Sequence, residues 1–183
     1  MPDLRRRDHQ DPYHLGDQAN RAGEWRIPAG YRAPSNPTDT SVLGGCEDEE
    51  FREPSRRVLE AFEGGDLTLV LSELTLRELE AAPEGVRVVL ELVPAAHIEA
   101  LALSAEAEDL AAAYIEDGAI GERMRADALH IALATVARVD VLVSWNFKHI
   151  VNLKRIHAYN AVNLRSGYPL LEIRTPREVP GDE

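Results

Sequence analysis

The stretch RADALHIALATVARVDVLVSWNFKHI, residues 125–150, holds an almost wholly apolar helix, a turn, a short β-prone run and an abrupt return of polarity. Leu129, Leu133 and Val136 fall on one side of the helix, while Ile131 and Ala134 share the other with Asp127 and His130. A helix that is apolar nearly all round belongs in an interior. The run VDVLVS then reads as a strand that stops at Ser144, Trp145 and Asn146. Two features break the apolar pattern: Asp127 with His130, and the polar residues at the strand's end.

Outward from this stretch the same alternation repeats. LTLVLS (67–72) is a continuous β-prone run of the kind a strand buried on both faces displays. HIEALAL and LLEIRT predict further short strands. Between them, Pro54 opens and Gly64 and Gly65 close an amphipathic helix over 53–63, with GG at 44–45 read as the turn before it. LTLRELEAA runs to Pro83, EGVRVVLELV follows, Ser104 caps AEAEDLAAAYIEDG with Gly118 ending it, the opening stretch itself gives a helix over 123–138, and IVNLKRIHAYNAVNL is helical. Strands alternating with helices over short joins predict a parallel α/β sheet covered on both sides.

Residues 1–37 carry no periodicity and are rich in Pro, Gly, Asp, Arg and Asn, so they read as a poorly ordered tail, as do 180–183. The domain is expected over 38–179. Forty-four per cent hydrophobic residues across 183 positions suffice for one compact core. The single cysteine, Cys46, excludes an internal disulfide and cysteine-based zinc sites, which fits a cytoplasmic protein. No apolar run approaches the ~18 residues of a membrane span, and no apolar segment follows the basic RRR at 5–7.

Charge is unevenly placed. Residues 41–140 hold 22 acidic against 8 basic side chains, whereas within 141–177 the only acid is Glu172, against Lys148, Lys154, Arg155, Arg165, Arg174 and Arg177. A net charge of -12 excludes nucleic-acid binding by bulk charge alone, but the cationic end could meet phosphates locally.

Ligand sites in a parallel sheet collect at the carboxyl ends of the strands. Asp39, Glu78, Asp127 and Asn146 all answer that description. Gathering carboxylates is unfavourable, since two unit charges ~4 Å apart repel by ~1 kcal/mol in water and ~4 kcal/mol at an effective dielectric of 20. A hard divalent cation reverses the sign. Plainer readings stand beside this one. Asp127 suits a helix N-cap or a first-turn acid. Thr75 and Glu78 have capping-box spacing, and Asp39 in PTDTS has turn chemistry. Spacing alone leaves the choice open. His130 reads as a hydrogen-bonded core residue, Trp145 as packing in preference to a stacking surface, and Cys46 has neither a base nor a metal partner.

DTSVLGG from Asp39, LVLSELTLRELEAAP with Glu78, RADALHIALATVARVDVLVSWNFKHIVN with Asp127 and Asn146, and YNAVNLRSGYPLLEIRTP together resemble the PIN-domain ribonucleases, which include the toxin halves of bacterial VapBC-type toxin–antitoxin pairs. The resemblance covers residues 38–179. It implies a three-layer α/β/α sandwich on a mainly parallel sheet of about five strands. By it, Asp39, Glu78 and Asp127 are ligands of Mg²⁺ or Mn²⁺, with Asn146 completing the catalytic group where many relatives carry a fourth Asp. Ser41, His130 and Ser144 support them from behind, and Lys148, His149, Lys154 and Arg155 meet RNA. The implied activity is hydrolysis of RNA phosphodiester bonds by a metal-activated water. An antitoxin protein and a second copy of the chain are the implied partners.

At the place of the family's first strand this chain reads YRAPSNPT, where Pro34 and Pro37 interrupt a ladder, so that strand is expected to be degraded and Asp39 displaced. Two functional readings follow: a metal-dependent endoribonuclease, or a module of the same fold that binds RNA or a partner without turnover. A phosphatase with an aspartyl nucleophile is disfavoured, because position 41 holds Ser where its second Asp would stand.

Overall fold

The computed structural model describes residues 35–179. Most of the expected tail over 1–37 and all of that over 180–183 lie outside the described residues; Ser35–Pro37 do not, and they form a strand. The elements in chain order are β1 (Ser35–Pro37), α1 (Thr40–Gly45), α2 (Arg52–Gly64), β2 (Thr68–Ser72), α3 (Glu73–Glu80), α4 (Glu84–Glu91), β3 (Ile98–Leu101), α5 (Ala105–Glu116), α6 (Arg125–Val136), β4 (Leu142–Val143), α7 (Leu153–Arg165) and β5 (Ile173–Arg174). Among them no helix is long and apolar enough to cross a membrane.

Every strand pairing is parallel. β1, β2 and β3 form one ladder and β4 pairs with β5, with a single bridge between Thr38 and Val143 joining the two sets. The five strands are therefore short, and the ladder is not continuous. Helices cover both faces, which makes the protein a three-layer α/β/α sandwich. One core holds Leu69, Leu71 and Val143 against Val42, Leu43, Leu59, Phe62 and Val89 of α1, α2 and α4. The other packs Leu142 and Ile173 against α5, α6 and α7. Neighbours in sequence such as Leu142 and Val143 thus enter opposite cores, as strand alternation requires.

The expectation of a lost first strand is corrected. Its residues are polar, yet Ser35 and Asn36 are buried. Ser35 N and Oγ donate to Asp140 Oδ2 at 2.8 and 3.1 Å, and Asp140 N donates back to Ser35 O at 3.1 Å. This clamp, formed across 105 residues, holds the strand beside β2 with Asn36 opposite Leu69 and Pro37 opposite Val70. Proline is tolerated there because β1 is the outer strand of the β1–β2–β3 ladder.

Gly44 and Gly45 are also corrected: they complete α1 instead of forming a turn. A Cβ on Gly45 would meet Ser55 Oγ and would stand 2.7 Å from Trp145 Nε1. The glycine lets α1, α2 and the segment after β4 approach closely. α6 starts at Arg125 after a short 3-10 turn over Glu122–Met124, and buries Ala128, Ile131, Ala132 and Leu133. Its small residues face α5, where the Tyr114 hydroxyl joins Thr135 and Asn163 in a buried polar group.

Candidate active site

β1 ends two residues before Asp39, which caps α1; its carboxylate accepts from Ser41 N at 3.1 Å and from Ser41 Oγ. Ser144 Oγ, just after β4, donates to Asp39 Oδ2 at 2.6 Å. Asp39 is 6% exposed. The turn reading was therefore correct about the backbone bond and incomplete about the rest. Ser41 and Ser144 are joined to the next residues as well, since Ser41 Oγ accepts from Trp145 N and Ser144 Oγ from Asn146 N, each at 2.9 Å.

Glu78 comes one turn into α3, the helix that follows β2. The capping-box reading fails here, because the cap of α3 is Ser72, whose hydroxyl accepts from Thr75 N. Glu78 instead reaches across the fold. Its Oε2 accepts from Thr40 Oγ1 at 2.8 Å and its Oε1 from His130 Nε2 at 3.0 Å. His130 was expected to back Asp127 on its own helix; its hydrogen bond goes to Glu78, 52 residues away. Thr40 was missed by the sequence reading, although it stands beside Asp39 in DTSVLGG.

Asp127 lies in the first turn of α6 and is not its cap, a position taken by Met124. Asn146 Nδ2 donates to Asp127 Oδ1 at 3.1 Å, while Asn146 Oδ1 accepts from His149 N at 3.0 Å. The Asn146 amide nitrogen thus faces the Asp127 carboxylate and its oxygen faces the backbone at His149. Of the residues expected to meet RNA, Lys148 and Lys154 are exposed. Arg155 is tied down, with Nη1 donating to Ala119 O at 2.8 Å.

The electrostatics follow from burial and from these bonds. Burial pushes the Asp39 carboxyl above the usual carboxylate range, against the hydrogen bonds of Ser144 and Ser41 and the charge of His130. Burial also raises Asp127, opposed by His149 and His130 and aided by the charge of Glu78. Glu78 moves down, chiefly through the His130 hydrogen bond. Burial alone would lower His130, but the Glu78 hydrogen bond and the charges of Glu78, Asp39 and Asp127 together raise it. The Glu78 hydrogen bond and the neighbouring carboxylate charges thus favour the charged form of His130 over the neutral one.

These shifts give a pH dependence. His130, with a folded value above its ordinary 6.5, contributes stability in full below 6.5 and loses it as pH rises through the folded value. Glu78 contributes above 4.5 and loses it as pH falls through its lowered folded value. Raised Asp39 and Asp127 favour the folded state in acid and withdraw that support as pH climbs from 3.8 through their folded values. Unfolding temperature should therefore fall as pH rises from 6.5 through the folded value of His130. His130→Gln should flatten that descent, and an equal slope in parent and variant would refute the assignment.

The donor set suits a hard cation: three carboxylates and no thiolate. His149 Nδ1 and Thr38 Oγ1 are buried without a hydrogen-bond partner among the described residues, the former three residues past Asn146 and the latter adjoining Asp39. Such polar atoms at a carboxylate cluster suit bound water or an ion's hydration shell. As placed, however, no three His, Cys, Asp or Glu side chains among the described residues are grouped as ligands of one ion. The carboxylates are bonded to protein donors instead.

No family model and no curated protein matches the chain. Among solved structures, the chain is similar to VapBC2 from Rickettsia felis, bound to a DNA fragment from their promoter, with 15% identity and a TM-score of 0.48 over 77% of this chain and 98% of that one.

Proposed function

We propose that the protein is a divalent-metal-dependent endoribonuclease that hydrolyses RNA phosphodiester bonds, acting as the toxin of a toxin–antitoxin pair in the cytoplasm. One observation carries the reading. Asp39, Glu78 and Asp127, from three separate elements, are linked through hydrogen-bonded neighbours near the carboxyl ends of β1, β2 and β4: Ser144 bonds Asp39 and Asn146, Asn146 bonds Asp127, and Thr40, beside Asp39, bonds Glu78. A structural role alone does not call for three acids and their supports at one end of a sheet.

In this reading Asp39, Glu78 and Asp127 would hold Mg²⁺ or Mn²⁺. When bound, the ion would acidify a water and neutralise charge on the phosphodiester. The chain's own contributions are distinct. Ser41 and Ser144 fix the Asp39 carboxylate, Asn146 orients Asp127, and His130 holds Glu78. Lys148 and Lys154 lie on the surface beyond β4, where they would draw the phosphate backbone toward the acids. An antitoxin protein and self-association complete the proposal.

Calorimetric titration with Mn²⁺, paired with cleavage of single-stranded RNA in Mn²⁺ and in chelator, tests it. Uptake of the ion and cleavage only in its presence are expected. Folded protein that takes up neither Mn²⁺ nor Mg²⁺ would overturn it. The bonding of every carboxylate to a protein donor favours a second reading, a binding module without turnover. That reading predicts RNA binding and an unfolding temperature unmoved by metal, whereas ligation stabilises by mass action.

A further inference from the structure

We infer that Phe147 is a stacking platform for an unpaired base of single-stranded RNA, set beside the carboxylate cluster; the inference rests on the ribonuclease reading and adds to it the feature that seats the substrate. Phe147 is the residue after Asn146, whose amide holds Asp127. Its ring is 48% exposed. It is not loosely exposed, because its centroid lies 5.8 Å from that of Trp145 and 6.3 Å from that of Phe51. Phe51 and Trp145 are themselves packed at 4.5 Å. The backbone is held too, with Phe147 N donating to Trp145 O at 2.8 Å.

Trp145, the other aromatic of this segment, is unsuited to the same task. It is 6% exposed, its Nε1 donates to Ser55 Oγ at 2.8 Å, and the Arg177 guanidinium lies 5.6 Å from its ring centroid. It serves as the bed and Phe147 as the surface. Exposed apolar side chains are common singly and need no explanation. Here four features coincide: an aromatic side chain about half exposed to solvent, an aromatic bed that restrains it, an exposed cation in the next residue, Lys148, and a bond from the preceding residue to Asp127. The only acid within 141–177, Glu172, is paired with Arg174. Aromatic stacking with flanking positive charge is the chemistry that holds single-stranded nucleic acid without reading its sequence.

The test uses the full chain in chelator, so that no strand is cut, with a short fluorescent oligouridylate and an abasic strand of equal length. Parent protein should bind the oligouridylate more tightly than the abasic strand. Phe147→Ala should weaken oligouridylate binding about tenfold, leave the abasic strand unaffected, and be rescued by Phe147→Tyr. Phe147→Leu, which keeps an apolar side chain on the bed, should show the same loss and guards against a folding defect in the alanine variant. Unchanged affinity in the alanine and leucine variants, or equal loss on both strands, overturns the inference while leaving the ribonuclease reading in place. Parent protein that binds neither strand overturns the inference, while the ribonuclease reading is decided separately by metal uptake and metal-dependent cleavage.

Discussion

Asp127→Asn is expected to lower Mn²⁺-dependent RNA cleavage by at least about a hundredfold while the protein stays folded, since groups that organise charge at a reacting centre are typically worth that much. The substitution keeps shape and keeps a carbonyl oxygen to accept from Asn146 Nδ2. It removes one of three negative charges. Asp127 does not cap α6, so no cap is lost; only the favourable placement of an acid in the first turn goes, worth ~0.3–1 kcal/mol. Against that loss, burial and the charge of Glu78 already disfavour its ionised form. Thermal unfolding without metal should thus stay within about 1 kcal/mol of the parent. Cleavage undiminished in the variant would remove Asp127 from the chemistry. Cleavage lost together with a large drop in unfolding temperature would instead assign it a structural role.

Trp145→Ala should produce the largest loss of stability, about 3–5 kcal/mol, because a buried aromatic ring is deleted from a packed cluster. The ring is in contact with Phe51 and Phe147 and carries Arg177 over its face. Its Nε1 is the donor to Ser55 Oγ, and Ser55 is 1% exposed, so truncation strands a buried hydroxyl. For a chain of this size the unfolding midpoint should drop on the order of 10 °C. Trp145→Phe, which restores most of the volume but not the donor, should cost about 1–3 kcal/mol. Differential scanning calorimetry of the three proteins checks both figures; an alanine variant within 1 kcal/mol of the parent, roughly the cost of an ordinary surface change, would refute the packing role. The same residue's backbone N bonds Ser41, so activity should fall with stability.

Much of the fold was legible because it is written locally. Pro54 and Gly65 bound α2, with Gly65 at a φ of 82°, and Ser104 caps α5 as its spacing predicts. The apolar surround of α6 announced its burial. β1 was not legible, for it has no aliphatic or aromatic residue, Pro34 precedes it and Pro37 ends it, and its first residue is held by the clamp between Ser35 and Asp140. The Gly44–Gly45 pair misled for a related reason. Its meaning lies in Ser55 and Trp145, which no local rule could place beside it.

The candidate site divides the same way. Asp39, Glu78, Asp127 and Asn146 could be singled out from motif and position. Their partners could not: Glu78 finds Thr40 and His130, and Asn146 turns its nitrogen toward Asp127.

By itself, then, the order of residues determined most of the helices, the Ser104 cap of α5, the buried strand β2 and the layered α/β architecture, since periodicity and capping act within a few residues of the chain. The tertiary structure alone decided that a polar, proline-flanked segment becomes a strand, and which donor each buried acid receives. The physical reason is that a buried carboxylate must be satisfied by whatever donors folding brings to it, and those of Asp39 and Glu78 come from as far as 105 and 52 residues away.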